Sequence, residues 1–187
     1  MKYIAIDNET GGLGDVSLLT SYFAVLDSDL RIMDDLYLYL KPADGVYRIE
    51  PQALEINGIK LSAHDAMAET SSTAGQKLFK FLKHYSNDGA DKLIPLGHNV
   101  TFDVLGIHDN LLNRNTFEKF TSYRKLDTAI IAQFLKLAGK LPDEVSGSLG
   151  SLASHFEIPN DQAHDAKADV LVTIEVLKSM LKLAEGK

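Results

Sequence analysis

Cysteine is absent from the 187 residues, which removes disulfides, thiolate nucleophiles and cysteine-based zinc sites together. Any metal must therefore sit on oxygen or imidazole. Long apolar runs are missing too: nothing approaches the roughly 18 uninterrupted apolar residues of a membrane span, so no membrane contact is expected. The opening MKYIAID meets a carboxylate at Asp7, too early for the apolar core of a secretory signal, and a cytoplasmic location is expected. Basic charge is in deficit, with a formal net charge of -7. That argues against wrapping long nucleic acid, which needs a broad basic surface, but not against gripping a short end. Carboxylates loaded with divalent cations are neutral or electropositive where it matters. Repeats and low-complexity tracts are also absent. The best loop, GKLPDEVSGS (139–148), is too short for a domain linker, and one domain over residues 1–187 is expected.

The first forty residues read as strands. Tyr3 to Ile6 is a short apolar run ending at Asp7, and LLTSYFAVLD and RIMDDLYLYL are two β-prone runs at hairpin spacing. From Gln52 the texture changes. QALEIN makes a short helix stopped by Gly58, and TSSTAGQKLFKFLKHYSN places Leu78, Phe79 and Leu82 on one helical face. Beside them Lys77, Lys80 and Lys83 form a stripe best read as a solvated face. KLIPLG reads as a fourth strand, VTFDVLGIHDNLLNR as a helix and SYRKLD as a short fifth strand. Helices dominate after that: TAIIAQFLKLAG, SLGSLASHFEI and AHDAKADVLVTIEVLKSMLKLAEG. The expectation is an α/β fold, a mixed β-sheet of three N-terminal antiparallel strands plus two further strands, flanked by helices.

Three places carry carboxylates at the mouths of these elements. In an extended segment residues two apart point to the same side, so Asp7 and Glu9 project together, and two like charges repel unless a cation joins them. Asp103 lies on the first turns of a helix, just after His98 and Asn99 at the end of a strand, where ligands of open α/β sheets bind. His164 and Asp169 are five apart, about 500° of helix, which leaves them some 140° from one another. A regular helix does not aim both into one site. His164 is therefore expected on the preceding loop, with Asp165 as the cap and Asp169 a turn further on. Each place has an ordinary reading by itself: a turn, a helix start favoured by the dipole, a solvated cap.

Taken in order, DNETGGL, HNVTFD and HDAKAD resemble the Asp-x-Glu-Thr-x-Gly-Leu, His-Asn-x-x-Phe-Asp and His-x-x-x-x-Asp motifs of the DEDDh exonucleases. This is the family of polymerase proofreading exonuclease subunits, ribonuclease T and oligoribonuclease. EINGIK and KLDTAI also resemble segments between those motifs. The resemblance implies a ribonuclease H-like fold and a 3′–5′ exonuclease acting on the 3′ end of DNA or RNA, single-stranded by expectation. It implies two divalent ions, Mg²⁺ or Mn²⁺, held by Asp7, Glu9, Asp103 and Asp169, and release of nucleoside 5′-monophosphates. Thr10 and Leu13 then lie against the terminal nucleotide, and Phe102 offers a stacking surface. His98 and Asn99 support the site, and a polymerase or a second copy of the chain is a conceivable partner. Two departures stand out: Gly11 replaces a frequent threonine, and Asn8 an apolar residue.

Phosphodiester hydrolysis asks for a nucleophilic water, charge neutralisation and help for the departing alkoxide, and two divalent ions serve all three. A histidine, a side chain that exchanges protons near neutral pH, suits the remaining task, so His164 is assigned as general base. Two other readings compete with this one. Three His-Asp pairs, at His64, His108 and His164, suggest an HD-type phosphohydrolase, but such proteins are all-helical. A catalytically silent exonuclease-like interaction module would not need all five active-site residues.

Overall fold

The computed structural model describes residues 1–14, 16–161 and 163–186. Its sheet begins with three antiparallel strands, β1 (Tyr3–Thr10), β2 (Leu18–Leu26) and β3 (Ile32–Lys41). Alternation along β1 sends Ile4 and Ile6 to one face and Ala5 to the other, as period-2 geometry requires. After β3 come α1 (Pro51–Asn57), closed by Gly58 in the left-handed region, and α2 (Leu61–Met67). The two-residue β4 (Glu69–Thr70) then joins β3 in parallel. Helix α3 (Ser71–Tyr85) starts from a Thr70 cap. Next are β5 (Ile94–Gly97), α4 (Val100–Asn110), α5 (Arg114–Phe120), β6 (Leu126–Asp127), α6 (Thr128–Leu137), α7 (Leu149–His155) and α8 (Ala166–Glu185). The sheet order is β4-β3-β2-β1-β5-β6.

Two apolar layers sandwich the sheet. On one face Ile4, Ile6, Phe23, Val25 and Leu38 pack against α3, α4 and α5 through Leu78, Leu82, Val104, Ile107 and Phe117. On the other, Ala5, Tyr22, Ala24 and Leu96 pack against α8 through Ala166, Val170, Ile174 and Leu177. Helices α6 and α7 bury their apolar sides against the rest of α8, around Leu135, Leu152 and Val176. Strands β1 and β5 run parallel, and β1 continues past the end of β5, so the carboxyl end of β1 projects between the α4 and α8 layers, the region where α/β sheets bind ligands. Among the described residues no helix is long and apolar enough to cross a membrane.

The expected architecture holds, with local differences. Helix α2 and strand β4 were not expected. The helix after β5 stops at Asn110, and Asn113 starts a new one by accepting from the Thr116 N–H. The expected fifth strand shrinks to Leu126–Asp127: the chain pairs once beside Leu93, where the Ser122 N–H donates to Leu93 O, and then turns away as the Arg124 N–H donates to the Ser122 hydroxyl. The lysine stripe is a surface face: Lys77 pairs with Glu69 and Lys83 with Asp88.

Candidate active site

Period-2 alternation aims Asp7 and Glu9 at the α8 face of the sheet, where register continues them into two rows. Asp7 pairs with Tyr22, which pairs with Tyr37; Glu9 pairs with Thr20, which pairs with Tyr39. The Glu9 row, with Tyr37 of the other, borders a cleft of about 310 Å³ whose lining includes Glu9, Thr20, Tyr37, Tyr39, His164 and Asp165. Helix α8 supplies Asp169 from its first turn. One carboxylate oxygen from each of Asp7, Glu9 and Asp169 lies within 4.8 Å of the others.

Asp103 arrives from the opposite layer. Strand β5 pairs with β1 only as far as Ala5 and then ends at Gly97, so the edge of β1 is unclaimed at Asn8. There the Asn8 N–H donates to Asp103 Oδ1 at 3.0 Å, and the Asn8 amide donates to the Asp103 carbonyl oxygen at 2.9 Å. Asp103 is buried and close enough to Asp7 to raise its proton affinity. It is not in the tight group of three.

The loop before α8 has the geometry that helical phase required. His164 is exposed, with a left-handed φ of 70°, and its N–H donates to Asp169 Oδ2 at 3.1 Å. Asp165 is the cap, its Oδ1 accepting from the Ala168 N–H at 2.9 Å. Its Oδ2 accepts from the Tyr37 hydroxyl at 3.1 Å. Asp165 is thus held by two donors and stands outside the three-carboxylate group.

Electrostatics mark the cluster as a place for positive charge. Burial, then the charge of Asp103 and of Glu9, raises the Asp7 carboxyl well above its ordinary range. Burial and the neighbouring Asp169 and Asp165 push Glu9 up to about 8. Burial likewise raises Asp103 and Asp169. Asp169 Oδ1 is buried and has no hydrogen-bond partner among the described residues, a costly state for a carboxylate without a cation. Several oxygen donors, an orphaned acceptor and mutual repulsion fit a hard divalent cation such as Mg²⁺ or Mn²⁺.

The remaining expected residues divide. Thr10 and Phe102 line a second cavity of about 450 Å³ with Asn8, Gly12 and Leu105, between the end of β1 and α4. The Thr10 hydroxyl donates to Gly12 O at 2.7 Å. Leu13 is 79% and Phe102 48% exposed, more than core packing explains. Asn99 starts α4 in the left-handed region, with no side-chain cap bond. His98 is turned to a different junction: its Nδ1 lies 2.9 Å from Thr128 Oγ1, and burial pushes its proton affinity down.

Sequence reasoning missed two structural devices. Asp127 caps the helix after it by accepting from Ala129, and its two oxygens also take the Asn99 and Val100 N–H groups at 3.1 Å each. One carboxylate thereby holds the starts of α4 and α6. Asn8, read only as a departure, is the bracket for Asp103. The signal for Asn8 was available: a polar residue at an inward position of a buried strand needs a partner. Gly11 has a steric reason, since a Cβ there would sit 2.5 Å from Arg48 O.

The RNase_T family model, described as exonuclease, matches residues 4–177. Ribonuclease T of Shigella boydii serotype 4 is 27% identical over 177 residues, which cover 89% of this chain and 78% of that protein. Among solved structures, E. coli exonuclease I in complex with a dT13 oligonucleotide superimposes with a TM-score of 0.70 at 20% identity over 97% of this chain. The zinc ion bound form of the E. coli ExoI-ssDNA complex gives 0.72 at 21% over 100%. The chain spans about two fifths of those two proteins, 40% and 41%. At such identities the superpositions establish the shared fold.

Proposed function

The chain belongs to the exonuclease family, with the motif order of its DEDDh-type 3′–5′ members, and from that membership we propose a metal-dependent hydrolysis of single-stranded DNA or RNA from the 3′ end. The products are nucleoside 5′-monophosphates. The observation that carries the reading is the convergence of Asp7, Glu9 and Asp169 within 4.8 Å, with Asp103 bracketed on the neighbouring edge of β1 and His164 at the rim of the same cleft. The oligonucleotide-bound exonuclease I structures support a single-stranded substrate.

In this reading Asp7, Glu9, Asp103 and Asp169 hold two divalent ions. Such ions, when bound, neutralise charge at the scissile phosphate and ease both water activation and alkoxide departure. The protein does the rest. His164, on its loop, accepts the proton of the attacking water at an imidazole nitrogen. Thr10 and exposed Leu13 meet the terminal nucleotide, Leu13 as a wedge beside its base, and Phe102 offers an aromatic face. Asn99 starts the helix that presents Asp103, and His98 supports the site from the end of β5 through its contact with Thr128. The six-stranded sheet removes the all-helical HD-type alternative.

The test uses 5′-labelled single-stranded DNA and RNA with Mn²⁺, Mg²⁺ or EDTA, beside an Asp7→Ala control. A ladder shortening from the 3′ end, lost in EDTA and in the variant, is expected. No degradation of either polymer with any metal would overturn the reading and leave a silent interaction module in its place.

A further inference from the structure

Tyr37 belongs to none of the motifs, yet it ties the sheet to the loop that carries His164. Both oxygens of Asp165 are held, Oδ2 by the Tyr37 hydroxyl and Oδ1 by the Ala168 N–H of α8. The Asp165 carbonyl accepts from the Asp169 N–H, and Asp169 Oδ2 accepts from the His164 N–H. His164 thus sits in a closed ring of bonds at the helix start, and it adopts a left-handed φ of 70°. For a residue with a Cβ that conformation persists only where neighbours over-determine it.

Tyr37 is itself rigid. Its ring stacks on Tyr39 with centroids 4.7 Å apart and meets Tyr22 edge-on at 5.5 Å, in the strand row that contains Asp7. A weaker tie runs alongside, from Asp35, which accepts from the Tyr22 hydroxyl, to Lys167 at 3.4 Å. The carboxylates of β1 and the His164 loop are therefore referenced to the same three strands, with Tyr37 spanning the gap.

We propose that Tyr37 is a positioning residue for hydrolysis: through Asp165 its hydroxyl fixes the turn that presents the His164 imidazole to the reacting water. It acts on the loop rather than on the substrate. This rests on the exonuclease reading and on His164 as base.

Tyr37→Phe keeps the ring and removes only the hydroxyl. On a labelled single-stranded oligonucleotide with saturating Mn²⁺, kcat is expected to fall about tenfold while KM stays within about twofold, because small misplacements of a reacting group are costly. Asp165→Asn, which loses one acceptor of the same link, should resemble it, and the double variant should be no slower than the slower single one. In a His164→Ala background Tyr37→Phe should have no further effect. Tyr85→Phe, which removes a Tyr–Asp34 bond on the surface, serves as the unchanged control. Independently of turnover, the His164 ring signals in ¹³C-labelled protein, assigned by their loss in His164→Ala, should shift in Tyr37→Phe and not in Tyr85→Phe. Unchanged kcat, an effect on KM alone, an undiminished loss in the His164→Ala background, or unmoved ring signals would each overturn the proposal. An inactive wild-type chain would instead overturn the exonuclease reading, and the ring signals would still report on the link.

Discussion

Asn8 and Asp103 hold each other at two points, backbone N–H to Oδ1 at 3.0 Å and side-chain amide to carbonyl oxygen at 2.9 Å. The residue between the two projecting carboxylates of β1 thus fixes a third, delivered from the opposite helical layer. Alternation explains the division of labour: odd positions face α8 and the cleft, and the even position faces α4.

Asp103→Asn should separate fold from catalysis. Asparagine retains an acceptor for the Asn8 N–H and removes a charge whose proton affinity is raised by burial. Its metal-free melting temperature at pH 8 should equal or exceed that of wild type. Nuclease rate should drop at least ~10²-fold, since lost charge stabilisation of several kcal/mol converts at about 1.4 kcal/mol per decade. Asn8→Ala loses only the amide bond and should cost about 1 kcal/mol, with a rate within about threefold at saturating metal. A rate loss in Asn8→Ala as deep as that in Asp103→Asn would contradict this division.

Raised carboxyl pKa values give the metal-free protein a definite pH dependence. A carboxylate whose folded pKa lies above its unfolded value binds more protons when folded, so its contribution is present at low pH and is lost as pH rises. For Glu9 the window runs from its unfolded value, about 4.3, through about 8, and Asp7 shifts in the same direction. In EDTA the melting temperature should fall between pH 6 and pH 9. Mg²⁺ or Mn²⁺ should raise it most at the alkaline end, where no proton has to leave for the cation to bind. Glu9→Gln should flatten the EDTA curve. A metal-free melting temperature that climbs over this interval would refute the repelling cluster.

Gly11→Thr tests why this chain departs from the family pattern. A Cβ at that position meets the Arg48 carbonyl, and the Gly11 N–H and carbonyl are bonded to Ser17 and Glu50, so the segment has no easy way to retreat. Overpacking of this kind costs about 1–3 kcal/mol. Urea unfolding should register that loss; a neutral result would mean the loop yields.

What was legible in the sequence was what short-range rules control. Period 2 paired Asp7 with Glu9, and helical phase, by failing to align His164 with Asp169, correctly expelled His164 from α8. The cap at Asp165 followed from residue type. What was not legible depends on partners far along the chain: Asp103 is 95 positions from Asn8 and Tyr37 is 128 from Asp165. Nothing local in HNVTFD says that β5 stops short and leaves an N–H free. Helix α2 was missed because its seven residues, LSAHDAM, bury only His64, too little to impose a periodic apolar stripe.

His164→Ala should lower the rate by about 10²–10⁴ while divalent cations still raise the melting temperature as they do for wild type. The two readouts are separable because the Asp169 contact is made by the His164 backbone N–H, which alanine keeps. Near-normal turnover would remove His164 as base. Loss of the cation-dependent stabilisation would make the histidine part of the metal shell instead.

Asp127 gathers three backbone donors on one side chain, and its removal should be felt at a distance from any chemistry. Its carboxylate accepts from Asn99, Val100 and Ala129, so Asp127→Ala strips the starts of α4 and α6 together. A single lost cap costs roughly 0.5–2 kcal/mol, and two on one side chain should cost about 2–3 kcal/mol, read as a lowered urea midpoint. Because α4 carries Asp103, the variant should also need more Mn²⁺ for half-maximal activity, while its rate at saturating metal stays closer to wild type than that of Asp103→Asn. Asp127→Asn, with one acceptor oxygen in place of two, should fall between. Equal stability of all three proteins would mean that the α4 and α6 starts hold without this carboxylate.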